Sequence, residues 1–418
     1  MTSRERVAQT LNHEPADRVS VDLGGMHCSG AHVSVVYALR QALGLDNPGT
    51  PVKVIDCYQM AGHIGLDLIQ ALNLDIALVP GRCSMFGHPL SDWKPWTTFE
   101  GTPVLVPGLF NTDPGENGDI LQYPEGDKTV PPSGRMPKGG FYVDAIMRQH
   151  PVDDNKLDPK DNLEEFGPIS NEDLGFLKKG VEDLFHNTDL AITIGMPGAA
   201  FGDIALVPAP WMKDPKGIRD IEEWYISTVT RRDYLQEVFA QQAGICIENV
   251  KTIYDAVGNK VQLVNMDGAD FATQESLFCS PDTYSELYLP HAKKVNDYIH
   301  KHTEWKTIKH CCGACEPMIP RFIEAGYDVL NPVQCSAAGM DPEMLVEKYG
   351  DEIVFWGGGV DTQKTLPFGT PEEVSREVEE RVRILSKKNG LIFNAIHVIQ
   401  CKTPVENVLA MFRAVGNA

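Results

Sequence analysis

The chain has 418 residues, with 37 lysines and arginines against 58 aspartates and glutamates and a formal charge of −21. That balance argues against nucleic acid or an anionic membrane surface as the partner and fits a solvated acidic exterior. The length suffices to bury a core without disulfide or metal staples, so a metal site has to be argued from chemistry and not from size.

The opening residues Met1–Val7 lack an apolar core region and cleavage site, and no run of eighteen apolar residues follows. A cytoplasmic protein is expected, in which the ten cysteines are thiols, buried or available as ligands.

In chain order, residues 2–12 read as a helix capped by Thr2 or Ser3 with Glu5 near its third position, ending before Pro15. Val19–Leu23 reads as a first strand running into Gly24-Gly25. A helix over His32–Leu43, the short apolar run Val52–Asp56, a helix over Gly62–Leu72 and a strand at Asp75–Val79 follow. From about 80 to 170 the texture changes to Trp93, Trp96 and a series of prolines among glycines, with brief alternation such as Thr102–Val106. This reads as an inserted β-rich segment of lid or binding-element type.

The regular pattern then resumes. Helices are expected at Asn171–Phe185 with Asn171 as its cap, Ile218–Thr230, Tyr234–Ala256, Pro281–Lys301, Pro317–Ala325, Pro342–Tyr349, Pro371–Lys388 and Pro404–Val415. Between them lie apolar strands at Leu190–Ile194, Val261–Met266, Lys306–His310, Asp328–Asn331, Ile353–Trp356 and Leu391–Asn394. Strands near 19, 75, 190, 261, 306, 328, 353 and 391 make eight, separated by segments long enough for crossovers. The pattern predicts a single (β/α)8 TIM barrel over residues 1–418 with a β-rich insertion in its N-terminal half. A doubly wound open sheet would call for a phosphate-binding glycine loop after the first strand, and the sequence has none there.

Chemistry concentrates at Lys306–Cys315, where His310, Cys311, Cys312 and Cys315 follow one strand. Imidazole and thiolate suit a borderline-soft divalent ion such as zinc, and a His-x-Cys pair at a strand end can aim both groups at one ion. Cys401, just past Leu391–Asn394, is the strongest third candidate, while Cys311 and Cys315 are geometric substitutes for Cys312. Three protein ligands with one open position mark catalytic zinc. In a barrel, Asp22, Asp267, Asp270, His310, Cys312, Asn331, Gln334, Asp361 and Cys401 all fall just after strands and share one mouth. Asp267 and Asp270 are candidates for the fourth zinc position or for handling a proton, and Gln334 for hydrogen bonding to substrate. His397 reads as a satisfied structural histidine.

Five stretches together carry a resemblance: Thr2–Val7 through Pro15–Val19; His310-x-Cys312-Gly313; Glu324–Gln334; Gly357–Gln363; and Pro404–Val408. On these the chain resembles the uroporphyrinogen decarboxylase superfamily, specifically its zinc- and corrinoid-dependent methyltransferase branch, and within it the aromatic O-demethylase-like members. The resemblance implies a (β/α)8 barrel and a zinc site mapping onto His310, Cys312 and Cys401. It also implies anaerobic transfer of a methyl group from a methoxylated, aromatic compound to the Co(I) corrinoid (cobalamin) of a partner protein. The alternatives are transfer from a methylcorrinoid protein to a thiol or folate, and a metal-free decarboxylase-like lyase. True uroporphyrinogen decarboxylases carry an arginine-rich N-terminal substrate motif, whereas Asp22–Cys28 holds no arginine to meet a polycarboxylate. The corrinoid is expected on a separate protein, because the chain lacks an Asp-x-His-x-x-Gly motif. A homodimer is the assembly considered, and the oligomeric state is left open.

Overall fold

The computed structural model describes residues 1–416, apart from the side chain of Asp267. Among the described residues, eight parallel strands form one sheet. They are β1 (Ser20–Val21), β2 (Ile76–Val79), β3 (Ala191–Gly195), β4 (Leu263–Asp267), β5 (Lys306–His310), β6 (Val329–Asn331), β7 (Val354–Trp356) and β8 (Leu391–Phe393). Each of β2 to β8 pairs with the next in chain order, and β8 returns to pair with β1, Ser20 opposite Ile392. The intervening helices cover the outside, giving the expected (β/α)8 barrel.

The seam between β1 and β2 is closed by Asp75. Its N–H donates to the Val21 carbonyl at 2.8 Å, and its carboxylate accepts the Val21 N–H, also at 2.8 Å. The same fully buried carboxylate accepts Ser3 Oγ at 2.7 Å, Arg6 Nη1 at 2.6 Å and Arg18 Nη1 at 2.7 Å. The first helix, Ser3–Leu11, begins with the capping box expected of Thr2 and Glu5. It joins Val7 and Leu11 to the barrel interior formed by Ile76, Ala191, Leu263, Ile308, Val329, Val354, Trp356 and Ile392. These inward residues come from successive strands, as a packed barrel requires.

Two local expectations are corrected. Gly62–Leu72 is not one helix: Ala61–Gly62 pairs antiparallel with Val54–Asp56, and the helix spans only Leu66–Ala71 after Gly65. The Gly62 and His63 N–H groups bond across to the carbonyls of Ala31 and Lys53, and this pairing to neighbouring segments holds the stretch out of helical conformation until Gly65. The helix Asn171–Asn187 is capped by Ser170, whose hydroxyl accepts the Asp173 N–H, and not by Asn171.

Val52–Asp56 stands outside the barrel and pairs parallel with Pro103–Val106, which pairs antiparallel with Lys94–Thr97. A second small sheet joins Ile120–Gln122, Gly134–Met136 and Asp144–Ala145. No helix among the described residues is long and apolar enough to cross a membrane.

Candidate metal centre at the barrel mouth

Side chains two residues apart on a strand share a face, so the residues after the apolar interior layer rise into the mouth. Ile308 is followed in this sense by His310, Val329 by Asn331 and Ile392 by Asn394. His310 and Asn331 lie opposite each other in the β5/β6 register. His310 Nδ1 is 2.7 Å from Asn331 Oδ1, while Asn331 Nδ2 donates to the Trp356 carbonyl at 2.9 Å. That second bond orients the amide, so its oxygen faces the imidazole and His310 carries its proton on Nδ1. Nε2 keeps a lone pair, directed toward Cys312 Sγ at 3.3 Å.

The third member of this group is His397. A nitrogen of His310, one of His397 and Cys312 Sγ all lie within 4.8 Å of one another, and the two rings meet edge to face at 5.5 Å. Burial lowers the pKa of both imidazoles to about 4, so both are neutral near pH 7. Burial holds the Cys312 thiol well above its ordinary range, and the nearby Asp270 carboxylate adds to that. Two neutral imidazoles and a thiol that a cation would deprotonate are a donor set suited to zinc.

The loop after β5 is fixed from both sides. Asp270 Oδ1 accepts the Cys312 N–H at 2.6 Å, and Gln334 Oε1 accepts the Gly313 N–H at 2.9 Å while Gln334 Nε2 donates to Gln274 Oε1 at 2.7 Å. Gly313 has φ +85°, and a Cβ there would stand 2.4 Å from the Thr273 carbonyl oxygen, so only glycine lets the chain turn immediately after Cys312. Burial raises the pKa of Asp270, partly offset by the Cys312 N–H. Cys28 approaches His310 from the other side, its Sγ 3.0 Å from Nδ1. Tyr225 donates its hydroxyl to the Asp270 carbonyl at 2.9 Å and meets the half-exposed Phe278 ring at 4.6 Å.

The expected residues therefore divide. His310 and Cys312 come together, and Asp270 and Gln334 hold the loop that carries Cys312. Asp267 ends β4, but its side chain lies outside the described residues. Cys401 is placed elsewhere, grouped with His32 and Glu100. The cause is backbone pairing: the Ile399 N–H donates to the Gly30 carbonyl and its carbonyl accepts the His32 N–H, which carries the following residues toward the helix Val33–Ala42. His397, before that pairing, is the β8-loop residue that reaches the centre. Its one sequence signal is its position after a barrel strand, four residues ahead of Cys401. Burial, with a contribution from Glu100, raises the Cys401 thiol.

The profile of the family described as Uroporphyrinogen decarboxylase (URO-D) matches residues 141–418, which include His310, Cys312, His397, Asp270, Asn331 and Gln334. The chain belongs to the uroporphyrinogen decarboxylase family. It is similar to a uroporphyrinogen decarboxylase of Carboxydothermus hydrogenoformans, with 30% identity over 129 residues, 31% of this chain and 34% of that relative. The match thus spans about a third of the curated relative's length. In structure the chain resembles a methyltransferase from Methanosarcina mazei, with TM-score 0.56 and 15% identity over 100% of this chain and 99% of that one. At that identity the likeness concerns the fold.

Proposed function

We propose that this member of the uroporphyrinogen decarboxylase family is a cytoplasmic, zinc-dependent methyltransferase. It moves a methyl group from a methoxylated, aromatic compound to the Co(I) corrinoid of a separate partner protein. The observation that carries the reading is the donor group of His310, Cys312 and His397 at the C-terminal end of the barrel, with the His310 tautomer set by Asn331. Support against a decarboxylase comes from charge. Asp270 and Asp203 act on the Cys312 thiol and offer no cation to a polycarboxylate substrate, and Asp22–Cys28 supplies no arginine.

In this reading His310, Cys312 and His397 hold the metal and leave one position for substrate. When bound, zinc supplies Lewis acidity at the ether oxygen. The chain's own part is orientation. Asn331 keeps the His310 lone pair aimed at the centre, and Asp270 and Gln334 act as positioning residues for Cys312 and Gly313. Tyr225 and Phe278 offer aromatic surface beside Asp270 for a planar donor. In the net reaction the methyl C–O bond breaks with its electron pair on oxygen, and the acceptor in the partner supplies the pair for the new bond. The phenolic product takes up a proton.

The test is anaerobic purification of wild type, His310→Ala and Cys312→Ala, followed by metal analysis and assay with methoxylated aromatics and a Co(I) corrinoid protein. Each variant should lose about one zinc relative to wild type and at least about a hundredfold in methyl transfer. Undiminished transfer by Cys312→Ala would overturn the reading, as would decarboxylation of a porphyrinogen by metal-free protein.

A further inference from the structure

The second donor group, His32, Glu100 and Cys401, lies on three segments distant in sequence. His32 is the N-cap of the helix Val33–Ala42, Glu100 sits in the turn joining Lys94–Thr97 to Pro103–Val106, and Cys401 follows β8. Their donor atoms lie within 4.8 Å of one another, with His32 Nδ1 4.0 Å from Glu100 Oε1. The edges of a tetrahedral zinc site are about 3.3–3.6 Å, from bonds of about 2.0–2.3 Å, so closure takes a small movement.

Two further observations point to a ligand. Glu100 Oε1 is buried and meets no N–H or O–H donor, and the Glu100 carboxylate has the Cys401 thiol as a hydrogen-bond partner. A buried carboxylate ordinarily has an ion pair or a metal as its partner, and a thiol is a proton donor that a bound cation would displace. The His32 tautomer is also set: the Ser34 N–H donates to Nδ1 at 3.2 Å, and Nε2 lies 3.1 Å from the Phe141 carbonyl, which can only accept. The proton is therefore on Nε2, and the lone pair is on Nδ1, where Ser34 meets it and Glu100 Oε1 lies 4.0 Å away. A ring N–H held by a backbone carbonyl is the usual outer partner of a metal-bound histidine. Ser34 Oγ stands 3.5 Å from Cys401 Sγ and 2.7 Å from His32 Nδ1, and a bound ion would replace Ser34 as the partner of that lone pair.

We propose that His32, Glu100 and Cys401 form a second site for a borderline-soft divalent ion of the zinc type, separate from the centre at His310. Nitrogen, oxygen and sulfur together select that class over magnesium or calcium. The ion would fasten the turn carrying Glu100 to the loop after β8, the loop that also bears His397.

The test counts metal in the full chain after zinc loading and desalting, for wild type, Cys401→Ser, Glu100→Gln and His310→Ala. Each is checked for folding by circular dichroism. The expected result is about two zinc ions in wild type and about one in each variant. With cobalt(II) in place of zinc, Cys312→Ala should keep a thiolate-to-cobalt band that Cys312→Ala/Cys401→Ser loses. One ion in wild type, lost in His310→Ala and kept in Cys401→Ser and Glu100→Gln, would overturn this site and leave the methyltransferase reading standing. One ion lost in all three variants would overturn it too, by making Cys401 a ligand of a single centre. An ion kept in His310→Ala and lost in both other variants would support this site while removing the metal from the proposed catalytic one.

Discussion

The two ends of the barrel bury polar groups in opposite ways. At the N-terminal end the Asp75 carboxylate is saturated by Ser3, Arg6, Arg18 and the Val21 N–H, and it closes the β1/β2 seam. At the C-terminal end the groups are oriented and left open, with the His310 lone pair facing Cys312 and His397 beside them. A saturated network has nothing left to offer a ligand and serves the fold. An oriented, unsaturated one is prepared to receive an ion, and the rigid strand ends beneath it set its geometry.

The largest effect separating the two ends is expected from Asp75→Ala. It leaves the Arg18 guanidinium without its carboxylate and the buried Arg6 with Asp17 alone, and should cost about 3 kcal/mol of stability. Folded variant should retain the wild-type zinc content. Denaturant midpoints and metal analysis on the same sample check this, and loss of metal from a folded variant would mean that the ends are coupled.

Next comes Asp22, beneath the mouth. Burial pushes its carboxyl up to about 7, against hydrogen bonds from the Gly25 N–H and the Trp356 indole. Because the folded state binds this proton more tightly than the unfolded one, the contribution to stability is full below the ordinary aspartate pKa. It is lost as pH rises toward 7, by up to about 1.4 kcal/mol per pH unit. Unfolding free energies at pH 5, 6, 7 and 8 should converge with those of Asp22→Asn on a difference that no longer changes above pH 7. Parallel profiles from pH 5 to 7 would remove Asp22 from the account.

Asn331→Ala tests orientation alone, since it deletes the acceptor that sets the His310 tautomer while sparing all three donors. Zinc affinity should fall about 10- to 100-fold in a chelator competition. Unchanged affinity would mean that Cys28, also within reach of Nδ1, is a sufficient partner. Gln334→Ala should have the smallest effect. It strands the Gly313 N–H at a cost of about 1–2 kcal/mol in stability, with affinity changed only a few-fold.

The barrel was legible because its interior residues recur on eight apolar runs at crossover spacing, and because His310 and Asn331 each follow an inward residue by two positions. Asp270 and Gln334 were legible as residues after strands, but not as hydrogen-bond partners of the neighbouring loop. His397 and Cys401 show where reading by spacing ends. Both follow β8, and an isolated sequence favours the thiol as the softer ligand. The pairing of Ile399 with residues 30 and 32 directs Cys401 to His32 and leaves His397 at the centre. Glu100 and His32 gave no sequence signal at all, being joined only when the insertion packs beside the loop after β8.

By itself, then, the amino-acid sequence determined the alternation of strands and helices and the strand that delivers His310 and Cys312. Both depend on local periodicity and on the number of residues between two points of one chain. Which residue completes the donor group, and where the remaining thiol goes, was decided by the tertiary structure. Those outcomes depend on backbone hydrogen bonds between segments hundreds of residues apart, which close only when the barrel does.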